Sequence, residues 1–156
     1  MRAAADSLRL LLLGVFLGFL LIDLVFDMES IAGKFSTSSA FYLGRDEHDG
    51  LRRALLLQAP LLLCLALFGA RGIRPRCWHD VLALLCVVCA MGGGSHVLSQ
   101  RTLLSAVASD RPLERQQLLT RIAWTHVAML PLLLLAAAAT QLAGTRGEAK
   151  KGRKSE

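Results

Sequence analysis

Residues 118–143, LLTRIAWTHVAMLPLLLLAAAATQLA, decide the fold. A helix needs about 20 apolar residues to cross a bilayer. This stretch meets that length, and its only ionisable side chains, Arg121 and His126, both fall near its start. Three further runs, 8–26, 54–70 and 78–98, have the same character. Short polar connections separate them, in a chain of 156 residues that is 54% hydrophobic with mean hydropathy +0.48. The sequence therefore predicts an all-α integral membrane protein, a four-transmembrane-helix bundle over residues 1–143. A polar, basic tail over 144–156 is expected to be disordered.

The last span has a longer helical preamble. Asp110 can cap a helix whose first turn holds Pro112, where the missing N–H costs nothing. A helix from there to Ala143 exceeds the bilayer, so Glu114, Arg115, Gln116 and Gln117 should form an aqueous extension. At the other end of the chain, the first run has a basic start and small residues at Ser30 and Ala32 that resemble a cleavage site. Its length and the acids Asp23, Asp27 and Glu29 point instead to a retained membrane helix.

Charge sets the expected orientation. If both termini share one side, that side carries ten basic residues and four acids, and the other carries eight of each. Arg71, Arg74 and Arg76 lie in the short second connection, close to the membrane surface. Basic residues in short loops mark the cytoplasmic face, so both termini are expected there. The net charge of +6 then reads as a topology signal, with no nucleic-acid partner implied. The sequence contains no asparagine and so no N-glycosylation acceptor. The final Arg153-Lys154-Ser155-Glu156 resembles a dilysine-type retrieval signal, which implies the endoplasmic reticulum membrane if the source is eukaryotic.

Polar residues inside the spans are costly in lipid and usually face protein or water. Alternate threading brings Asp23, Asp27, Gln58, His96, Gln100, Arg121, Thr125 and His126 toward one end of the bundle. Asp23, His96, Arg121 and His126 are expected to form one interior network there, with Gln58 and Gln100 beside it. Asp27 is expected to be solvated at the interface. On the third span, Cys86, Cys89, Gly93, His96 and Gln100 share an arc at ~100° per residue, and this arc is expected to face the interior. His96 and His126 on neighbouring helices are compatible with ligation of a haem or metal, although no second motif supports a cofactor. Cys86-Val87-Val88-Cys89 has the spacing of a dithiol centre. Mid-span thiols stay protonated and behave as small hydrophobes, so inert packing is the expectation.

Gly14 and Gly18, one turn apart, permit close approach of a helix. A neighbour within the bundle is the simpler expectation, and self-association or another membrane protein is the alternative. Gly93, in the run Gly92-Gly93-Gly94, is a second close-packing position. Residues 28–50 read as a loop: Ser36, Thr37, Ser38 and Ser39 are loop chemistry, and Phe41 and Tyr42 suit the headgroup level. Residues 45–49, RDEHD, could bind a divalent ion only if consecutive side chains converged.

Three functions follow as expectations. The first is a non-enzymatic accessory or assembly partner of other membrane proteins. The second is an intramembrane oxidoreductase or haem/metal protein using His96 and His126. The third is a small-molecule binder or carrier within the bundle.

Overall fold

The structure is a computed structural model, and it describes residues 2–43, 58–68, 78–107 and 111–152. Helix α1 spans Arg2–Ile31 and α2 spans Phe35–Leu43. The short apolar helix α3 is described over Gln58–Phe68. Helix α4 spans Trp78–Ala106 and α5 spans Pro112–Gly152. No strand occurs among the described residues.

Among the described residues, three segments are long and apolar enough to cross a membrane: Ala4–Ile31, Trp78–Ala106 and Pro112–Ala143. Their exteriors suit lipid, with Leu11, Val25, Leu85 and Leu134 each about half exposed or more. The second predicted span is represented by the shorter α3. Arg52, Arg53, residues 45–49 and Cys77 lie outside the described residues.

Helix α5 is the central element: α1 and α4 each pack along it, and the α1 and α4 backbones do not approach each other closely. Small side chains make the contact possible. Ala83 and Ala90 of α4 and Ala136 of α5 are fully buried in one core cluster with Leu13, Phe16, Leu20 and Leu133. Lipid tails are as apolar as leucine, so close backbone approach and dense packing hold membrane helices together. Gly93 serves the same contact. A Cβ there would lie 2.8 Å from both Cγ and Sδ of Met129. A second cluster, Val97, Leu104, Leu118, Leu119 and Ile122, fills the opposite end of the α4–α5 contact.

Several sequence expectations change. Residues 35–43 are helical, so the Ser/Thr stretch builds α2. The reason lies in the turn before it. Gly33 adopts φ +80°, the Lys34 N–H donates to the Glu29 carbonyl and the Gly33 N–H to the Ser30 carbonyl. This is a Schellman cap, which ends α1 on a left-handed glycine and satisfies its last carbonyls. The chain then folds back: Phe41 stacks on Phe26 at 3.9 Å, and the Ser38 hydroxyl donates to the Phe26 carbonyl. Helix α4 continues past residue 98 to Ala106, which places Arg101 inside a helix. Helix α5 runs to Gly152 where a loose tail was expected from residue 144. At 1.5 Å per residue its length is about 60 Å, twice a ~30 Å hydrocarbon core.

Gly14 and Gly18 do not meet a neighbour among the described residues of the bundle. Both are exposed on α1, and among the described residues nothing lies within 4 Å of a Cβ built on either. Arg9, one of the ten basic residues on the side assigned to the cytoplasm, is 2% exposed. It donates to the Leu67 carbonyl at 3.0 Å, sits 3.5 Å from Asp6 and stacks over the Phe68 ring at 3.9 Å. These contacts tie the start of α1 to the end of α3.

Candidate functional site: a closed polar ring beside a lateral groove

Asp23 and Asp27 are one helical turn apart, so both point from the same face of α1. Both are buried, on the side away from the exposed glycines. Asp27 is fully enclosed, contrary to the solvated position expected for it. Its Oδ1 accepts the Tyr42 hydroxyl at 2.7 Å, and its Oδ2 lies 2.5 Å from His126 Nδ1. The other ring nitrogen of His126, Nε2, faces Asp23 Oδ2 at 3.9 Å. That same oxygen accepts from the Arg101 guanidinium at 3.2 Å. The ring closes where the Arg101 guanidinium stacks over the Tyr42 ring, 4.5 Å from its centroid.

Five side chains from four helices thus form one circuit: Tyr42, Asp27, His126, Asp23 and Arg101. Helix geometry explains the reach. The α1 and α4 backbones stay apart, so a long side chain on α4 is needed to meet the short Asp23. On α5, His126 lies between Ile122 of one apolar cluster and Met129 of the other. The ring therefore sits where the two cores meet. It sets two carboxyl side chains against one guanidinium. Burial, with the adjacent Asp27 carboxylate, pushes the Tyr42 phenol well above its ordinary value. Tyr42 is thus a hydrogen-bond donor at any physiological pH.

A cavity of ≈ 40 Å³ borders the ring, lined in part by Asp23, Gln58, Gly94, Arg101 and His126. That is room for ordered water. Gln58 packs against Gly94 of α4, its Nε2 3.5 Å from where a Gly94 Cβ would lie. On the outer side, a half-open groove of ≈ 630 Å³ runs between α1 and α3 and ends at Asp23 and Arg101.

The expected network of Asp23, His96, Arg121 and His126 forms only in part. Asp23 and His126 come together, whereas His96 and Arg121 lie on exposed faces. Asp27, Tyr42 and Arg101 complete the site. Gln100 is buried, with Oε1 lacking a hydrogen-bond partner among the described residues, and it is not part of the ring. Thr125 turns its hydroxyl back to the Arg121 carbonyl.

The shared arc on α4 is likewise divided: Cys86 and Gln100 are buried, while Cys89 and His96 are exposed. Cys86 and Cys89 are free thiols on differently exposed faces. The pairing of His96 with His126 around a haem or metal is not assembled, because both nitrogens of His126 face carboxylates and His96 points outward. Among the described residues, no group of three or more His, Cys, Asp or Glu is arranged to hold a metal ion.

Arg101 lies beyond residue 98, where the apolar run of the third span ends, so the run alone does not place it in a helix. Its signal was a lone arginine one residue beyond the polar stripe. Tyr42 has the composition of a headgroup anchor, and the turn at Gly33 folds it inward instead. No protein-family model, curated protein or solved structure matches the chain.

Proposed function

We propose that this chain is a four-span, multi-pass membrane protein with both termini cytoplasmic, acting as a non-enzymatic accessory or assembly partner of other membrane proteins. Its compartment, if the source is eukaryotic, is the endoplasmic reticulum membrane. The observation that carries the partner reading is the outward glycine pair. Gly14 and Gly18 lie one turn apart on the exposed apolar side of α1, with no described residue within 4 Å of a Cβ built on either. Small residues four apart let a second transmembrane helix approach to backbone contact. The polar ring supports the same reading as a clamp: it fixes α1 against α2, α4 and α5 and so presents the glycine face rigidly.

Site-specific photocrosslinking in the native membrane tests it. A photoreactive residue at Leu11 or Val15, beside the glycines, is expected to capture a membrane protein. The double change Gly14→Leu and Gly18→Leu should abolish the adduct while leaving the melting temperature unchanged. Lipid adducts alone, or capture insensitive to the glycine changes, would overturn the partner reading. A dimer of this chain would assign the face to self-association. Topology has its own test in a eukaryotic host. Asp46→Asn with His48→Thr creates a glycosylation acceptor, and a reporter follows Glu156. Glycosylation with a cytosolic reporter is expected, and a lumenal reporter contradicts the orientation.

A second reading, a small-molecule binder, draws on the lateral groove. Its volume lies within the ~300–1,000 Å³ typical of ligand sites.

A further inference from the structure

We infer that the groove between α1 and α3 binds an uncharged, hydroxyl-bearing membrane lipid, with its hydroxyl seated between Asp23 and Arg101. The inference rests on the small-molecule reading and gives that site a ligand class.

The groove has two chemically distinct parts. Its walls are apolar: Val15, Phe19 and Ile22 of α1, Pro60 and Leu63 of α3, and Phe41 of α2. Its end is an ion pair, Asp23 and Arg101, whose side chains are 10% and 18% exposed. An occupant must therefore join an apolar body to a small polar head. Lipid tails from the bilayer supply the body, because the groove is open along its side.

The ring selects the head. Arg101 uses one terminal nitrogen on Asp23, and its side chain stays 18% exposed, so the five-donor guanidinium keeps N–H capacity beyond that bond. Arg101 and His126 both approach Asp23 at Oδ2, so Oδ1 is the acceptor left for a ligand. The site thus offers one N–H donor and one carboxylate acceptor a few ångströms apart. A hydroxyl both donates and accepts, and it satisfies the two together. A phosphate or carboxylate head accepts only, and it would add a third negative charge to a ring that already holds two carboxylates against one guanidinium. A quaternary ammonium head has no N–H to give Asp23 and competes with Arg101 for it. Diacylglycerols and sterols share the fitting chemistry, and experiment can separate them.

The test uses the full chain in lipid nanodiscs with photoactivatable probes. These are a diacylglycerol, its acetylated analogue lacking the hydroxyl, the phosphatidic acid with the same chains, and a sterol. The diacylglycerol or the sterol is expected to label peptides from α1 and α3, and unlabelled lipid of the same kind should compete. Loss of a hydrogen bond to charged partners predicts about tenfold weaker labelling, or less, by the acetylated and phosphatidic probes. Ala59→Trp fills the groove without touching the ring, so it should remove labelling while leaving the melting temperature near wild type. Arg101→Gln should level the headgroup preference and retain labelling. Equal labelling by all four probes would leave a groove that binds lipid and overturn the headgroup assignment. Preference for phosphatidic acid would overturn it as well. Labelling confined to other surfaces, or unaffected by Ala59→Trp, would overturn both the assignment and the small-molecule reading.

Discussion

Replacing Asp27 with alanine is the most informative perturbation of this bundle. The carboxylate is fully buried and holds two partners, the Tyr42 hydroxyl at 2.7 Å and His126 Nδ1 at 2.5 Å. Asp27→Ala strands both. A buried polar group left without its partner costs roughly 1–3 kcal/mol, and breaking a buried charged pair roughly 3–5 kcal/mol. Hydrogen bonds between membrane helices have measured at the low end, averaging about 0.6 kcal/mol in one bundle. Two strands of a closed ring therefore predict a loss of about 2–5 kcal/mol. Lys34→Ala, at an exposed turn position, should stay within about 0.5 kcal/mol.

The assay is reversible unfolding in mixed micelles, followed by helicity. A cycle with Tyr42→Phe isolates the coupling. Once the hydroxyl is gone, Asp27→Ala has one fewer group to strand, so the double change should cost about 1 kcal/mol less than the sum of the single changes. Costs for Asp27→Ala no larger than for Lys34→Ala, or strict additivity with Tyr42→Phe, would refute the ring.

Other perturbations separate ring members from bystanders. Arg101→Ala should destabilise by about 2–4 kcal/mol through the stranded Asp23, while Arg121→Ala on an exposed face should change stability by less than about 0.5 kcal/mol. The same micelle unfolding reads both. Gly93→Leu places a side chain where Met129 sits and should cost about 1–3 kcal/mol, whereas Gly14→Leu should leave the isolated bundle's melting temperature unchanged. Cys86→Ala with Cys89→Ala should leave expression and thermal stability nearly intact, and rapid labelling of either thiol by a membrane-impermeant reagent would contradict the inert reading.

Alkaline pH offers a further check. The folded Tyr42 phenol is pushed up by burial, so its neutral form adds stability that is fully present below about pH 10 and is lost as pH rises above that ordinary value. Tyr42→Phe should flatten that alkaline decline. An identical decline in the variant would count against the buried donor.

The apolar runs by themselves determined that the chain is helical and suited to lipid. Backbone groups in hydrocarbon must be satisfied locally, and about 20 apolar residues in a row leave little alternative to a helix. Composition also located the costly residues, because an ionisable group inside an apolar run stands out without knowledge of its partner. Asp23 and His126 were identified on that ground. Their partners were a different problem. Whether a residue on a wheel faces a neighbour depends on how each helix is rotated about its axis, and the low amphipathicity of lipid-facing helices leaves that rotation unwritten. His96 and Arg121 lie on exposed faces of α4 and α5, turned away from the ring. Asp27 looked like an interface residue until α2 folded over it. That fold depends on a left-handed glycine after α1 and on Phe41 stacking against Phe26, contacts between segments rather than properties of either one. Arg101 reaches Asp23 only because α4 runs beyond its apolar stretch and because α5 holds the α1 and α4 backbones apart by the length of an arginine side chain. The helices were thus set by local chemistry, and the site by the distances that packing left between them.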